Sequence, residues 1–143
     1  MSDTRVTAQQ RRQVETRANG RCEYCCSPSL FSTSSYHIEH IIPRVKNGST
    51  TLDNLAFSCS GCNSSKHTQV EREDPLTGKT VRLFHPRQDD WLKHFMWNTD
   101  LLRLVGLTSI GRATIVALKL NRVELTNLRY ALHAVGEHPP EIC

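Results

Sequence analysis

The sequence predicts an α+β protein with a small antiparallel hairpin and a helix at its centre. Three observations predict this arrangement: a polar, helix-forming stretch near the N-terminus, two strand-forming runs around a turn-rich loop between residues 36 and 58, and two apolar helix-forming stretches after residue 108. A Cys-x-x-Cys pair stands on either side of the two strand-forming runs. The two cysteine pairs are therefore candidates for a cross-link that holds this unit together.

The length of 143 residues fits one domain. We expect residues 1–143 to form that domain, with a hairpin-helix core at about 34–68 and a C-terminal extension at about 69–136. The net charge of +4 permits nucleic-acid binding without requiring it. Charge alone therefore decides little about function.

No run of residues approaches the roughly 18 apolar residues that a membrane span needs. The first 17 residues are polar and lack the apolar segment of a secretory signal. We therefore expect a protein without membrane contact in a reducing, bacterial-type cytoplasm.

In the first half of the chain, turn residues and apolar spacing divide the sequence clearly. Asn19-Gly20 ends the first helix, and Pro43 ends the first strand because it has no backbone donor. The predicted elements are a helix at 7–18, a strand at 36–42, a polar loop at 44–53, a strand at 55–58 and a helix from 60 to about 68.

In the second half, Pro75 and Gly78 predict the turn of a second hairpin, and Thr108 is a predicted helix cap. The predicted elements are paired strands at 69–72 and 79–84, a helix at 86–95, a third short hairpin within 96–105, and helices at 109–120 and 122–134. The C-terminal helices complete the core or form a dimer face in this interpretation.

Six cysteines are present, and four of them form two Cys-x-x-Cys pairs. In a reducing compartment such pairs indicate metal ligands before disulfides, and two pairs supply the four thiolates of a tetrahedral structural zinc site. Buried free cysteines or disulfides are the alternative. The predicted ligands are Cys22, Cys25, Cys59 and Cys62, which leaves Cys26 and Cys143 over.

Between the two pairs, a second type of site is indicated. Glu39 near the end of a strand and Asn63 at the start of a helix can meet across the hairpin and offer hard oxygen ligands to Mg²⁺ or Mn²⁺. His40, on the opposite face of the strand from Glu39, can deprotonate an attacking water. His37 lies three residues earlier, and we interpret it as a surface or packing residue.

The order of these motifs, Glu39-His40-Ile-Ile-Pro, Gly48, Asp-Asn54-Leu, and Cys-x-x-Cys62-Asn63-x-x-Lys, resembles the HNH endonuclease family with its ββα-metal (His-Me finger) fold. It is similar in particular to the HNN variant with flanking Cys-x-x-Cys pairs. Later segments, residues 74–95 and 106–114, resemble small stand-alone bacterial proteins of this family.

The resemblance implies His40 as general base, Glu39 and Asn63 as ligands of the catalytic cation, and Asn54 as the residue that braces the loop and orients His40. It also implies DNA cleavage that leaves 5′-phosphate and 3′-hydroxyl ends. Two departures are visible, since Glu39 stands where many members have Asp and Asn63 replaces the third His.

Arg44 and Lys66 flank the predicted reaction centre, and we expect them to contact phosphate groups; for Lys46 a solvated loop position is equally expected. The expected partner is DNA, with RNA as an alternative, and the protein acts as a monomer or homodimer. Two rival functions remain: a non-catalytic zinc-knuckle module that binds nucleic acid, and a structural or interaction protein that keeps the same scaffold.

Overall fold

The computed structural model describes residues 5–141 and 143, and its mixture of helices and short antiparallel strands confirms the α+β class. Within these residues the strands form three two-stranded antiparallel sheets. The helices are α1 (Ala8–Arg17), α2 (Ser60–Lys66), α3 (Trp91–His94), α4 (Ser109–Leu118) and α5 (Val123–Ala134). The strands are β1 (His37–His40), β2 (Leu55–Ser58), β3 (Glu71–Glu73), β4 (Thr80–Arg82), β5 (Phe95–Trp97) and β6 (Leu104–Gly106).

Helix α1 begins at a capping box. The Thr7 hydroxyl accepts from the Gln10 backbone N–H at 3.0 Å, and the Gln10 side chain accepts from the Thr7 N–H at 2.9 Å. The helix is polar, and Val14 is its one buried residue. It contacts β2, where Arg17 donates to the carbonyl of Leu55. The predicted N-terminal helix is confirmed, with its role limited to covering the hairpin.

The central hairpin pairs β1 with β2 so that His40 lies opposite Leu55 and His37 opposite Ser58. Cys59 follows β2 directly and caps α2, its sulfur accepting from the Cys62 N–H at 3.4 Å. Helix α2 contacts both β1 and α4. The predicted strand-loop-strand-helix order is confirmed, and it places the second cysteine pair at the junction of hairpin and helix.

The predicted helix at 86–95 is wrong in its first half. Helix α3 begins only at Trp91, after the Asp90 cap, because residues 85–89 form a turn that Asp89 holds closed. The Asp89 carboxylate accepts from the His85 N–H at 2.8 Å and from both terminal nitrogens of Arg82 at 2.7 and 2.8 Å. The second and third hairpins, β3–β4 and β5–β6, were predicted and are confirmed.

One cluster of buried side chains joins the cysteine pairs to the C-terminal helices. The indole of Trp91 donates to the Tyr24 carbonyl at 3.1 Å, and Phe84 packs edge-on against Tyr24 and Phe95. Arg112 of α4 also pairs with the fully buried carboxylate of Asp74 through two contacts of 2.9 Å. The helices after residue 108 therefore contribute to the core, which is one of the two roles predicted for them.

Cys26 and Cys143, the two cysteines left over by the metal-site interpretation, are joined in a disulfide with 5.3 Å between their Cα atoms. The sequence did not predict this pairing. The bond fixes residue 143 beside the first cysteine pair, since Cys26 directly follows Cys25. Separately, none of the helices in residues 5–141 has the length and apolar character to cross a membrane.

Candidate active site and zinc centre

The four cysteines predicted as zinc ligands come together in the structure. Their sulfur atoms all lie within 4.8 Å of one another, and Cys25 Sγ is 3.7 Å from Cys59 Sγ. Ligands at about 2.3 Å from a tetrahedral zinc lie about 3.8 Å apart, so the spacing fits this ion. All four cysteines are buried, and their number fills the four positions of such a site. The cluster therefore suits a structural zinc with no open position for chemistry.

His40 ends β1 with its ring half-buried, and its Nε2 lies 2.8 Å from the Thr50 hydroxyl. In the tautomer whose Nε2 proton goes to Thr50, the lone pair is on Nδ1. Partial burial and, to a smaller extent, the nearby Arg44 guanidinium lower the pKa of His40. The ring is therefore neutral near pH 7, which is the form that a general base needs. Thr50 was not predicted, because a hydroxyl in a polar loop carries no signal of this contact.

Asn54 fastens the β1–β2 loop through its side-chain amide. Its Oδ1 accepts from the Ile42 N–H at 2.9 Å, and its Nδ2 donates to the carbonyls of Ile42 and Ser49 at 3.0 and 2.8 Å. Its backbone carbonyl accepts from the Ile41 N–H at 2.9 Å. These bonds hold the chain on both sides of the loop that carries Thr50. Asn54 therefore lies where it can brace the loop, whereas the direct contact to the His40 ring comes from Thr50.

Gly48 allows this loop to close tightly. A Cβ at this buried position would overlap the Ile42 carbonyl oxygen and lie 2.9 Å from Asn54 Nδ2. The motif glycine is thus needed for a close approach of two backbone segments.

We expect Gly48→Ala to lower the free energy of unfolding by about 2–3 kcal/mol, because a backbone carbonyl cannot move aside as a flexible side chain can. Urea unfolding measures the change. Ser49→Ala is the matched control, since it keeps the Ser49 carbonyl that Asn54 binds, and it should alter the stability by less than about 0.5 kcal/mol. A Gly48→Ala protein as stable as the control would contradict this role.

Glu39 faces the interior and is 6% exposed. Its Oε1 accepts a hydrogen bond from the Tyr24 hydroxyl, and its Oε2 lies 3.6 Å from Lys66 Nζ. Burial raises the pKa of Glu39, and the Lys66 ammonium and the Tyr24 hydroxyl oppose that rise. Asn63 lies on α2 and is partly exposed. A carboxylate and an amide are suitable donors for Mg²⁺ or Mn²⁺, but Tyr24 and Lys66 already contact the two oxygens of this carboxylate.

Lys66 is not placed to contact phosphate, and this prediction is corrected. The residue is 1% exposed, and its ammonium donates to the Ile41 carbonyl at 2.8 Å beside Glu39. The sequence spacing placed Lys66 near the reaction centre without showing that this side of α2 faces the core. Arg44, by contrast, is exposed and donates to the Thr50 hydroxyl at 3.4 Å, so its position beside His40 agrees with phosphate contact.

We expect Lys66→Met to lower the free energy of unfolding by about 3 kcal/mol, because it leaves the Glu39 carboxylate buried without its cation. Chemical unfolding of Lys66→Met beside Lys46→Met, which removes an exposed loop cation, measures this. Adding Glu39→Gln to Lys66→Met should recover part of the loss. Full stability of Lys66→Met together with weaker DNA binding would instead restore the phosphate-contact prediction.

The remaining histidines near the hairpin have structural partners. His37 is exposed and lies 3.3 Å from the Ser60 hydroxyl, as expected for a surface residue. His85 is buried and its Nδ1 accepts from the Arg87 N–H at 3.2 Å. His94 Nδ1 lies 2.6 Å from the Thr108 hydroxyl that caps α4. These contacts place His37 at the surface, His85 in a turn and His94 beside a helix cap.

Comparison with known proteins relates the segment around this site to a known family. Residues 22–69 match the model of the family described as HNH endonuclease, which confirms the resemblance seen in the motifs. Both cysteine pairs, the central hairpin and α2 fall within this segment. The match therefore supports a nuclease of the general endonuclease class.

A stretch of 57 residues is 47% identical to part of the CRISPR-associated endonuclease Cas9 of Corynebacterium diphtheriae. The aligned stretch covers 39% of this chain and 5% of that protein. The similarity thus concerns one small segment of a much larger relative. No solved structure matches the chain significantly.

Proposed function

We propose that this protein is a metal-dependent HNH-type endonuclease that hydrolyses phosphodiester bonds in DNA. The observation that carries the proposal is the position of His40, which ends β1 immediately before the loop held by Asn54 and lies within the segment that matches the HNH endonuclease family. The neutral imidazole of His40 is held in a fixed orientation by Thr50 and follows Glu39 on the strand. Such a group can take a proton from water.

In the proposed reaction, His40 takes a proton from a water molecule that attacks phosphorus. Thr50 holds the Nε2 side of the ring, so Nδ1 is the nitrogen that accepts the proton. The exposed guanidinium of Arg44 contacts the phosphate and aligns it without reading the base sequence. As the water oxygen bonds to phosphorus, the bond from phosphorus to the 3′ oxygen breaks and that oxygen takes a proton from solvent water, which leaves 5′-phosphate and 3′-hydroxyl ends.

Glu39 and Asn63 would hold a divalent cation, Mg²⁺ or Mn²⁺. When bound, this cation would neutralise charge that develops on the phosphate and the leaving oxygen. Tyr24 and Lys66 have to share the Glu39 carboxylate with it, since the Tyr24 hydroxyl donates to Oε1 and the Lys66 ammonium lies 3.6 Å from Oε2. The four cysteines would hold a separate zinc that fixes the hairpin to the residues around Cys22.

We further propose that residues 1–143 act as one HNH nuclease domain, as a monomer or homodimer in the cytoplasm. The contact between α2 and α4 supports the inclusion of the C-terminal extension.

Incubation of purified protein with supercoiled plasmid tests the function. We expect nicked or linear product with Mg²⁺ or Mn²⁺ and none with a chelator in excess. End-group analysis of the product should show 5′-phosphate. An absence of product with either cation, over a range of DNA sequences and with an RNA substrate alongside, would contradict the proposal.

A non-catalytic zinc-knuckle module is the second candidate, and the buried pair of Glu39 and Lys66 favours it, because the pair neutralises the proposed cation ligand internally. Such a module would bind DNA without cleaving it. A gel-shift titration run beside the plasmid assay separates the two, since binding without metal-dependent cleavage supports only the module.

A further inference from the structure

Arg122 reaches the four-cysteine cluster from the junction between α4 and α5. Its Nη2 lies 3.5 Å from Cys59 Sγ and 3.7 Å from Cys62 Sγ, and its Nη1 lies 3.6 Å from Cys62 Sγ. Nη1 also donates to the carbonyls of Leu118 and Lys119 at 3.1 and 3.2 Å. One side chain thus connects the cluster with the C-terminal end of α4.

Gly61 provides the space for this approach. It lies in the first turn of α2, between Cys59 and Cys62, and a Cβ there would overlap Arg122 Nη2 and come within 2.9 Å of its Cζ. Alanine stabilises a helix by about 1 kcal/mol relative to glycine, so glycine is unfavourable for α2 itself. Its presence admits the guanidinium to the sulfur atoms.

The charge of the loaded cluster explains why a cation belongs there. Four thiolates around Zn²⁺ carry a net charge of about −2 in a buried position, where an uncompensated charge is costly. Arg129, a second arginine on this side of the core, does not supply the same contact. It donates to the carbonyls of Leu102 and Leu120 at 3.0 and 2.8 Å and lies over the ring of Trp97.

We propose that Arg122 neutralises the negative charge of the four-thiolate zinc centre and that its N–H groups, bound to Cys59 and Cys62, slow the loss of the metal. Gly61 leaves the space that this contact needs. The inference rests on the zinc site of the proposed function and is independent of DNA cleavage. Hydrogen-bonded thiolates are less readily attacked by protons and electrophiles, so the metal leaves more slowly. Arg122 is a positioning residue in this account.

The test is the rate at which the zinc-loaded, full-length protein transfers zinc to a coloured chelator at neutral pH. We expect Arg122→Met to release zinc at least about tenfold faster, as is typical when the partner of a metal ligand is removed. Arg122→Lys should be intermediate, because it keeps the charge but loses the fork of donors. Lys119→Gln removes an exposed cation of the same junction and should behave as wild type.

Two further measurements separate this role from a merely structural one. Gly61→Ala should also accelerate zinc release, and combining it with Arg122→Met should add little, because both changes remove the same contact. In the Co²⁺-loaded protein, the sulfur-to-cobalt charge-transfer band should move to lower energy in both variants and stay in place in Lys119→Gln.

Wild-type release rates and an unmoved cobalt band in Arg122→Met and Gly61→Ala would overturn the proposal, even if Arg122→Met melts at a lower temperature. A wild-type protein that binds neither zinc nor cobalt would overturn it together with the zinc site. The plasmid assay reports on the nuclease separately, so failure of one proposal does not conceal failure of the other.

Discussion

Cys59→Ser should abolish stoichiometric zinc binding and unfold most of the protein. Cys59 is the residue at which β2 passes into α2, and its sulfur is shared by the cluster, the α2 cap and Arg122. The free energy of metal binding adds directly to the stability of the fold, since the site does not exist in the unfolded chain. We expect a loss of at least about 5 kcal/mol, comparable to the entire stability of a small domain.

Zinc content per chain and thermal melting by circular dichroism measure this effect. Cys143→Ser is the matched control, because it also removes a cysteine and frees Cys26 from its disulfide, but it leaves the four cluster sulfurs in place. It should retain one zinc per chain. Unchanged melting and zinc content in Cys59→Ser would show that the four cysteines are not a structural metal site.

His40→Ala should lose DNA cleavage by about 10³-fold while keeping the fold and the zinc. The substitution removes the proposed base, but it removes none of the four cysteines, and the Asn54 amide still holds Ile42 and Ser49. The half-buried ring makes one side-chain contact to Thr50, so we expect a change of only about 1 kcal/mol in stability.

His37→Ala is the control for this experiment. His37 is exposed on the same strand, three residues earlier, and contacts Ser60 and not Thr50. Its variant should cleave at the wild-type rate. Comparable losses in both variants would indicate a general effect on β1 and would remove the specific role of His40.

Local chemistry made much of the site predictable. The two cysteine pairs could be assigned to one site because together they supply the four thiolates of a tetrahedral zinc, and the hairpin could be placed because Pro43 ends its first strand and Asn47-Gly48 lies in its loop. Asn54 could be placed near His40 only through the resemblance to the HNH endonuclease family, since 13 residues separate the two. The other inferences depend on short motifs, each of which is local in the chain.

The features that could not be predicted depend on packing between distant elements. Lys66 looked like a surface cation because sequence spacing does not show that its helix face is covered. The predicted helix at 86–95 is too long because the Asp89 carboxylate binds Arg82 and the His85 N–H and so closes a turn ahead of Trp91. Arg122 contacts Cys59 across 63 positions of sequence, and the residues next to Arg122 in the chain carry no motif that predicts this contact.

Plasmid cleavage by wild-type protein and His40→Ala, compared side by side at equal concentration and equal zinc content with Mg²⁺ or Mn²⁺ present, tests whether this protein is a nuclease that uses His40 as its base. We expect nicked or linear DNA with wild-type protein, none after chelation of the divalent cation, and almost none with His40→Ala. Equal cleavage by the two proteins would contradict this expectation, because the water would then be activated by a group other than His40.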